Sequence, residues 1–257
     1  MIIKRDNTCT PVGKNRTLHI YLPDNYYDSD ERYPVMYFFD GHNLFLDEDA
    51  TYGKCWGLKS FLDGWWKDMI IVGIECGHEG RERLNEYSPY YWNSNYIGKV
   101  EGIGETILDW MAHELKPMID SEYRTWPHRE ATGIGGSSMG GLMSLYGVTR
   151  FNDTFSKAAC LSSTVIPCYR KLTSDIRAAR LNEDTRIWLS YGEDEAFGRS
   201  SDVKDIFDTK TSKYTGKIMD ILADKHVIAK HYMQPGGRHC EADWEKQVPA
   251  FMEFLWM

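Results

Sequence analysis

The segment Gly135-Gly136-Ser137-Ser138-Met139-Gly140-Gly141 contains the pattern G-x-S-x-G at Gly136, Ser138 and Gly140. That spacing suits acyl transfer by a serine nucleophile held on a sharp strand-to-helix turn. On such a turn a side chain at position 136 or 140 would collide across the bend, which is the physical reason for glycine at both. The turn also aims the Met139 N–H and the start of the following helix at one point, where negative charge developing on a carbonyl oxygen would be stabilised. A phosphate cradle is the poorer reading, because no lysine follows in the Walker spacing.

A serine at its ordinary pKa needs a base. Of the eight histidines, His19 falls inside an early strand, His113 on a helix ahead of Pro117, and His226 and His231 beside or within the last strand. His239 differs, because it follows that strand through Gln234-Pro235-Gly236-Gly237-Arg238 and precedes the final helix. A base there lies at the carboxyl edge of a parallel sheet, within reach of a serine at the same edge. The orienting acid is expected after the intervening strand, where Glu193-Asp194-Glu195 follows Gly192. Three adjacent carboxylates cannot all be buried and ionised, so one is expected to turn inward, Glu195 or Asp194. A second oxyanion donor is expected from Asp40-Gly41-His42-Asn43, where Gly41 lets the chain fold back and the His42 backbone N–H points in. His42 with Asp40 lacks further ligands at metal-binding spacing, and His226, His231 and Cys240 read as incidental. No metal and no cofactor is therefore expected.

These residues need a frame, and the apolar periodicity supplies one. Thr17–Leu22 alternates with period two, while Val35–Phe39 and Met69–Ile74 are continuous apolar runs of the kind found in buried strands. Ala131–Gly135, Lys157–Leu161, Thr185–Tyr191 and Val227–Met233 complete the predicted strands. Between them, Ile103, Ile107, Met111 and Leu115 recur at helical spacing ahead of Pro117. Leu142, Leu145 and Tyr146 form a second helical face, and Val248, Phe251, Met252 and Leu255 a third. Strands alternating with helices predict an α/β fold with a mostly parallel central sheet covered on both faces. No repeat or linker interrupts it, so residues 1–257 are expected to form one domain. The stretch 76–100 follows neither period and carries Tyr87, Tyr90, Tyr91, Trp92 and Tyr96. It reads as a long loop that binds something or covers a site.

The composition bounds the partners. With 30 basic and 38 acidic residues the net charge is −8, which disfavours nucleic acid and anionic membranes. No apolar run reaches membrane-spanning length, and the first residues lack a signal-peptide pattern, so a cytoplasmic location is expected. Six scattered cysteines form no C-x-x-C pair and read as free thiols. Aromatic residues make up 14% of the chain, enough to line a pocket for a ring-bearing ligand as well as fill a core.

Several of these segments together resemble a known family. Asp40-Gly41-His42-Asn43-Leu44-Phe45, the stretch Tyr52-Gly53 to Trp56-Gly57, Asn85-Glu86-Tyr87-Ser88-Pro89 and Glu114-Leu115-Lys116-Pro117 are similar to the Putative esterase family. So are Gly135 to Gly141 and Pro235-Gly236-Gly237-Arg238-His239, with Trp244 beyond. This is the esterase D, enterochelin esterase and carbohydrate esterase family 1 branch of the α/β hydrolases. The resemblance implies an α/β-hydrolase fold and a serine esterase with Ser138 as nucleophile and His239 as base. Relatives with Gly-x-x-Glu or Gly-x-x-Asp place Glu195 ahead of Asp194 as the acid. Asp40 departs from the histidine that many α/β hydrolases carry before this glycine, which leaves a backbone oxyanion donor unaffected. The resemblance also implies a small-molecule or oligosaccharide ester as partner, an acetylated or feruloylated carbohydrate above all, with self-association left open. Trp56, Tyr87, Trp92 and Trp244 are the rings expected to contact it. An S-formylglutathione-type thioesterase, a siderophore esterase and an inactive binding protein of the same fold are the alternatives.

Overall fold

The computed structural model describes residues 1–95, 97–195 and 201–257, the side chains of 201–210 excepted, so Tyr96 lies outside the described residues. The strands are β1 (Ile2–Cys9), β2 (Asn15–Tyr21), β3 (Val35–Phe39), β4 (Ile70–Ile74), β5 (Trp92–Ser94), β6 (Gly98–Val100), β7 (Thr132–Ser137), β8 (Lys157–Leu161), β9 (Arg186–Gly192) and β10 (Ile228–Gln234). The α-helices are α1 (Leu58–Asp63), α2 (Glu82–Glu86), α3 (Gly104–Trp110), α4 (Lys116–Glu122), α5 (Met139–Arg150), α6 (Tyr169–Ala178), α7 (Ser201–Asp224), α8 (Glu241–Glu245) and α9 (Val248–Trp256). Eight strands form one sheet in the order β1-β2-β4-β3-β7-β8-β9-β10, and β5 pairs with β6 in a separate hairpin. The contacts β1–β2 and β2–β4 are antiparallel, and every later pair in the sheet is parallel.

Alternation along β3 shows how the layers are built. Val35, Tyr37 and Phe39 face a core shared with α3, α5 and α6, whereas Met36 and Phe38 face a second core closed by α1 and α9. A strand buried on both sides reads as a continuous apolar run, as this one does. The structure adds β1, which the sequence does not announce because Lys4, Arg5 and Asp6 interrupt its alternation at the sheet edge. The helical stretch from Ile103 also continues past Pro117, since α3 runs through a π-helical turn at Met111–Leu115 directly into α4. A proline in the first turn of α4 lacks an N–H where that turn can spare one. Among the described residues no helix is long and apolar enough to cross a membrane.

The parallel register fixes the site. β3, β4, β7, β8, β9 and β10 end at the same carboxyl edge, so the turns that leave them converge there.

Candidate active site

Ser138 leaves β7 with φ 57° and ψ −117°, a conformation that a side-chain-bearing residue seldom adopts. The flanking glycines allow it: a Cβ on Gly136 would lie 2.8 Å from the Gly140 carbonyl carbon. The turn is pinned to β8, because the Ser138 N–H donates to the Leu161 carbonyl at 2.9 Å and the Thr164 N–H donates to the Ser138 carbonyl at 3.0 Å. Ser138 caps the twelve-residue α5, so the Met139 N–H lies among the unpaired donors of its first turn. The Ser138 hydroxyl sits 3.3 Å from the Thr164 hydroxyl, a neighbour the sequence gives no reason to single out.

The second turn leaves β3. Asp40 is left-handed, with φ 57° and ψ 50°, and Gly41–Asn43 form a single 3-10 turn. Gly41 lies against the next strand so closely that a Cβ on it would meet the Gly73 carbonyl carbon at 2.4 Å. Both partners are backbone, so neither can swing aside. A Gly41→Ala substitution is accordingly expected to cost about 2 kcal/mol or more and to displace the His42 N–H. Urea unfolding and turnover measured together check this, and a variant as stable and active as wild type would show that the two turns do not abut so closely.

Asp40 itself is buried, and its carboxylate receives two hydrogen bonds from Arg83, Nε to Oδ1 at 2.8 Å and Nη2 to Oδ2 at 2.7 Å. Burial alone would raise the Asp40 pKa, but the Arg83 charge and its hydrogen bonds outweigh it and hold the carboxyl below its ordinary value. The Asp40 N–H donates to the Tyr87 hydroxyl at 3.0 Å. The 76–100 stretch therefore braces this turn from behind. It is also less irregular than its sequence implies, containing α2 and the β5–β6 hairpin, both too short to display a period.

On the opposite side, His239 Nδ1 lies 3.7 Å from Glu195 Oε2, with both side chains largely shielded from solvent. Glu195 is held by the Gly192 N–H, which donates to Oε1 at 2.8 Å, and by the Ser162 hydroxyl, which donates to the same oxygen. Ser162 in turn accepts from Trp244 Nε1 at 2.8 Å. The Trp244 ring also meets the His239 ring edge to face, with centroids 5.1 Å apart. One tryptophan thus touches the imidazole directly and the carboxylate through a serine. Asp194 is half-buried, and its N–H donates to the Gly237 carbonyl at 2.7 Å, while Glu193 is exposed.

The four rings expected to contact substrate are all buried. Trp56 packs between Phe38 and Trp244, Tyr87 packs on Phe39 and holds the Asp40 turn, and Trp92 donates to the Ser88 hydroxyl at 3.0 Å. Trp244 supports His239 and Glu195 as described. These side chains pack in the core and against the turns that carry Asp40 and His239, with each ring enclosed and the Nε1 of Trp92 and Trp244 committed. Sequence spacing passed over Ser162 and Thr164, and it marked Arg83 only as a basic loop residue with no link to Asp40. Neither Ser162 nor Thr164 carries a local sequence signal; Ser162 stands out only in the structure, by a positive φ of 48° directly after β8.

The His42 side chain is buried behind its own turn, and burial lowers its pKa. Spacing pairs it with Asp40 alone, whereas the fold also brings Cys76 and His78 to it from the end of β4.

A parallel sheet with a strained serine at the head of α5, a histidine after β10 and a carboxylate after β9 defines an α/β-hydrolase-fold enzyme. The chain belongs to the Putative esterase family, whose profile matches residues 10–255. It is 28% identical over 148 residues to an esterase of Mycobacterium tuberculosis, an alignment covering 58% of this chain but only 29% of that protein. Among solved structures it is similar to an IroE-like serine hydrolase from Shewanella oneidensis, at a TM-score of 0.75 and 20% identity over 99% of this chain and 79% of that one. It is likewise similar to a ferulic acid esterase, at a TM-score of 0.69 and 16% identity over 99% of this chain and 97% of that one.

Proposed function

We propose that this protein is a serine carboxylic ester hydrolase working through an acyl-enzyme. The observation that carries the reading is the conformation of Ser138, strained at the head of a helix and flanked by glycines that let the turn close on itself and against β3. His239 removes the Ser138 proton as the oxygen attacks the ester carbonyl, and Glu195 orients the imidazole and stabilises its charge. The N–H groups of Met139 and His42 hold the oxyanion, and His239 then protonates the departing alcohol. Water, activated by the same histidine, releases the acid. Glu195 is assigned over Asp194 because its carboxylate lies beside the His239 ring and is itself held by Gly192 and Ser162.

For the substrate we favour an ester of a phenolic acid, such as a feruloylated carbohydrate. A cavity of about 330 Å³ opens among Tyr91, Ile166, Tyr169, Arg170, Lys171 and Tyr214. Its wall begins two residues after Thr164, the neighbour of the nucleophile. Three tyrosines suit a ring, and the likeness in fold to a ferulic acid esterase agrees with that choice. A catecholate siderophore ester is the second reading, favoured by the two cations on the same wall.

Turnover of p-nitrophenyl acetate, p-nitrophenyl butyrate, methyl ferulate and a catecholate triester separates these. Methyl ferulate is expected to give the highest kcat/KM of the four, and Tyr169→Ala to lower it selectively by about tenfold. A strong preference for acetate would remove the phenolic reading while leaving the esterase standing. Preference for the catecholate ester, lost on Arg170→Ala, would establish the second reading.

A further inference from the structure

We propose that His42, Cys76 and His78 form a binding site for a zinc-like divalent transition metal behind the oxyanion turn. One potential ligand atom from each of the three residues lies within 4.8 Å of the others. Two features of the site go beyond that proximity. His42 is buried, and its Nε2 is engaged with the Thr51 hydroxyl at 2.9 Å. Its Nδ1 is also buried and has no hydrogen-bond partner among the described residues. A buried imidazole with one nitrogen held by an outer oxygen and the other unsatisfied is arranged as metal-ligating histidines are, where the outer contact fixes ring orientation and tautomer.

The other two ligands come from the neighbouring strand. Register pairs Phe39 of β3 with Ile74 of β4, so Asp40-Gly41-His42 and Glu75-Cys76-Gly77-His78 leave the sheet side by side. Cys76 is buried at the end of β4, and its sulfur is one of the three candidate ligand atoms. His78 is exposed, with its ring centroid 4.8 Å from that of His42. It can therefore rotate inward and leave one coordination position open to water. Two imidazoles and a thiolate suit zinc and cobalt better than calcium or magnesium, and Glu75, whose carboxylate lies 3.7 Å from His78 Nε2, adds negative charge beside the site. Tetrahedral zinc needs ligand atoms about 3.3–3.6 Å apart, so closure requires movements of about 1 Å, mostly in His78. Binding releases the Cys76 proton to solvent as the metal–sulfur bond forms.

The test uses the full chain freed of metal by chelation, titrated with Zn²⁺ in competition with a chromophoric chelator and separately with Co²⁺. Wild type is expected to take up a single equivalent of Zn²⁺ and to give a thiolate-to-cobalt charge-transfer band. His78→Ala, an exposed change that leaves the fold alone, should weaken Zn²⁺ binding by about tenfold or more. Cys76→Ser should abolish the band while the protein remains folded by circular dichroism. Failure to bind equimolar Zn²⁺, Zn²⁺ affinity unchanged in His78→Ala, or a charge-transfer band that persists in Cys76→Ser would each overturn the proposal. None of these readouts depends on ester hydrolysis, so the site stands or falls apart from the proposed activity.

Discussion

Replacing Ser138 by alanine is expected to lower kcat for ester hydrolysis by about 10⁴-fold or more, because base, acid and oxyanion donors act as a unit through the nucleophile. The thermal midpoint should stay close to wild type. Alanine keeps a Cβ, so the backbone at φ 57° remains as unfavourable as before. Glycine at the same position separates the two roles. Ser138→Gly should be equally inactive but more stable, by about 1 kcal/mol, since the strain of a left-handed, Cβ-bearing residue is removed. Activity assays beside calorimetry on both variants check the pair of effects. An active Ser138→Ala protein would remove the serine mechanism, and a Ser138→Gly protein no more stable than wild type would mean that the turn stores no strain.

A second large effect is expected at a residue that takes no part in the chemistry. Arg83→Met leaves the buried Asp40 carboxylate without its cation, and breaking such a pair typically costs 3–5 kcal/mol. Arg83 keeps 32% of its side chain exposed, so water can relieve part of the loss and about 3 kcal/mol is the reasonable figure. For a chain of this length that lowers the midpoint by roughly 6–12 °C. The pH dependence follows from the sign of the shift. In wild type the folded Asp40 pKa lies below its ordinary value, so its contribution is present above the unfolded pKa of about 3.9 and is lost as pH falls through the folded value. In the variant burial is unopposed and the pKa rises, so the carboxyl must be desolvated as an anion or protonated. The stability gap is therefore widest at neutral pH and narrows toward pH ~4. Adding Asp40→Asn to Arg83→Met removes the orphaned charge and should restore most of the loss at pH 7. Midpoints measured across this pH range test it, and a double variant no better than the single one would sink the argument.

The central strands around the site, β3, β4, β7 and β8, were legible because each is buried on both faces and bounded by turn residues. Val35–Phe39 and Lys157–Leu161 fall where the apolar runs place them. The edge strand β1 was not, since one solvated side and three consecutive charged residues erase its period. Candidate residues followed the same division. Ser138 and His239 stand in turns whose local sequence carries the constraint, glycines in one and Pro-Gly-Gly in the other. Arg83 is 43 positions from Asp40, and Ser162 is 33 from Glu195. Nothing local marks either pairing, because it arises only when the strand order brings their loops together. The aromatic residues are ambiguous in sequence for a related reason. Richness in rings is the same signal whether the rings line a pocket or fill a core, and here Trp56, Tyr87, Trp92 and Trp244 are enclosed.

Arg83 and Tyr87 fasten the 76–100 segment to the very turn that presents the His42 N–H. The segment is consequently a poor module for exchange. Recombination that imported the corresponding stretch of a relative, natural or engineered, would discard two fastenings of the Asp40–Asn43 turn. Changes of specificity in this lineage should therefore accumulate on the Ile166–Lys171 side of the cavity, where replacement leaves the turn undisturbed. A successful graft would have to carry Arg83 and Tyr87 with it.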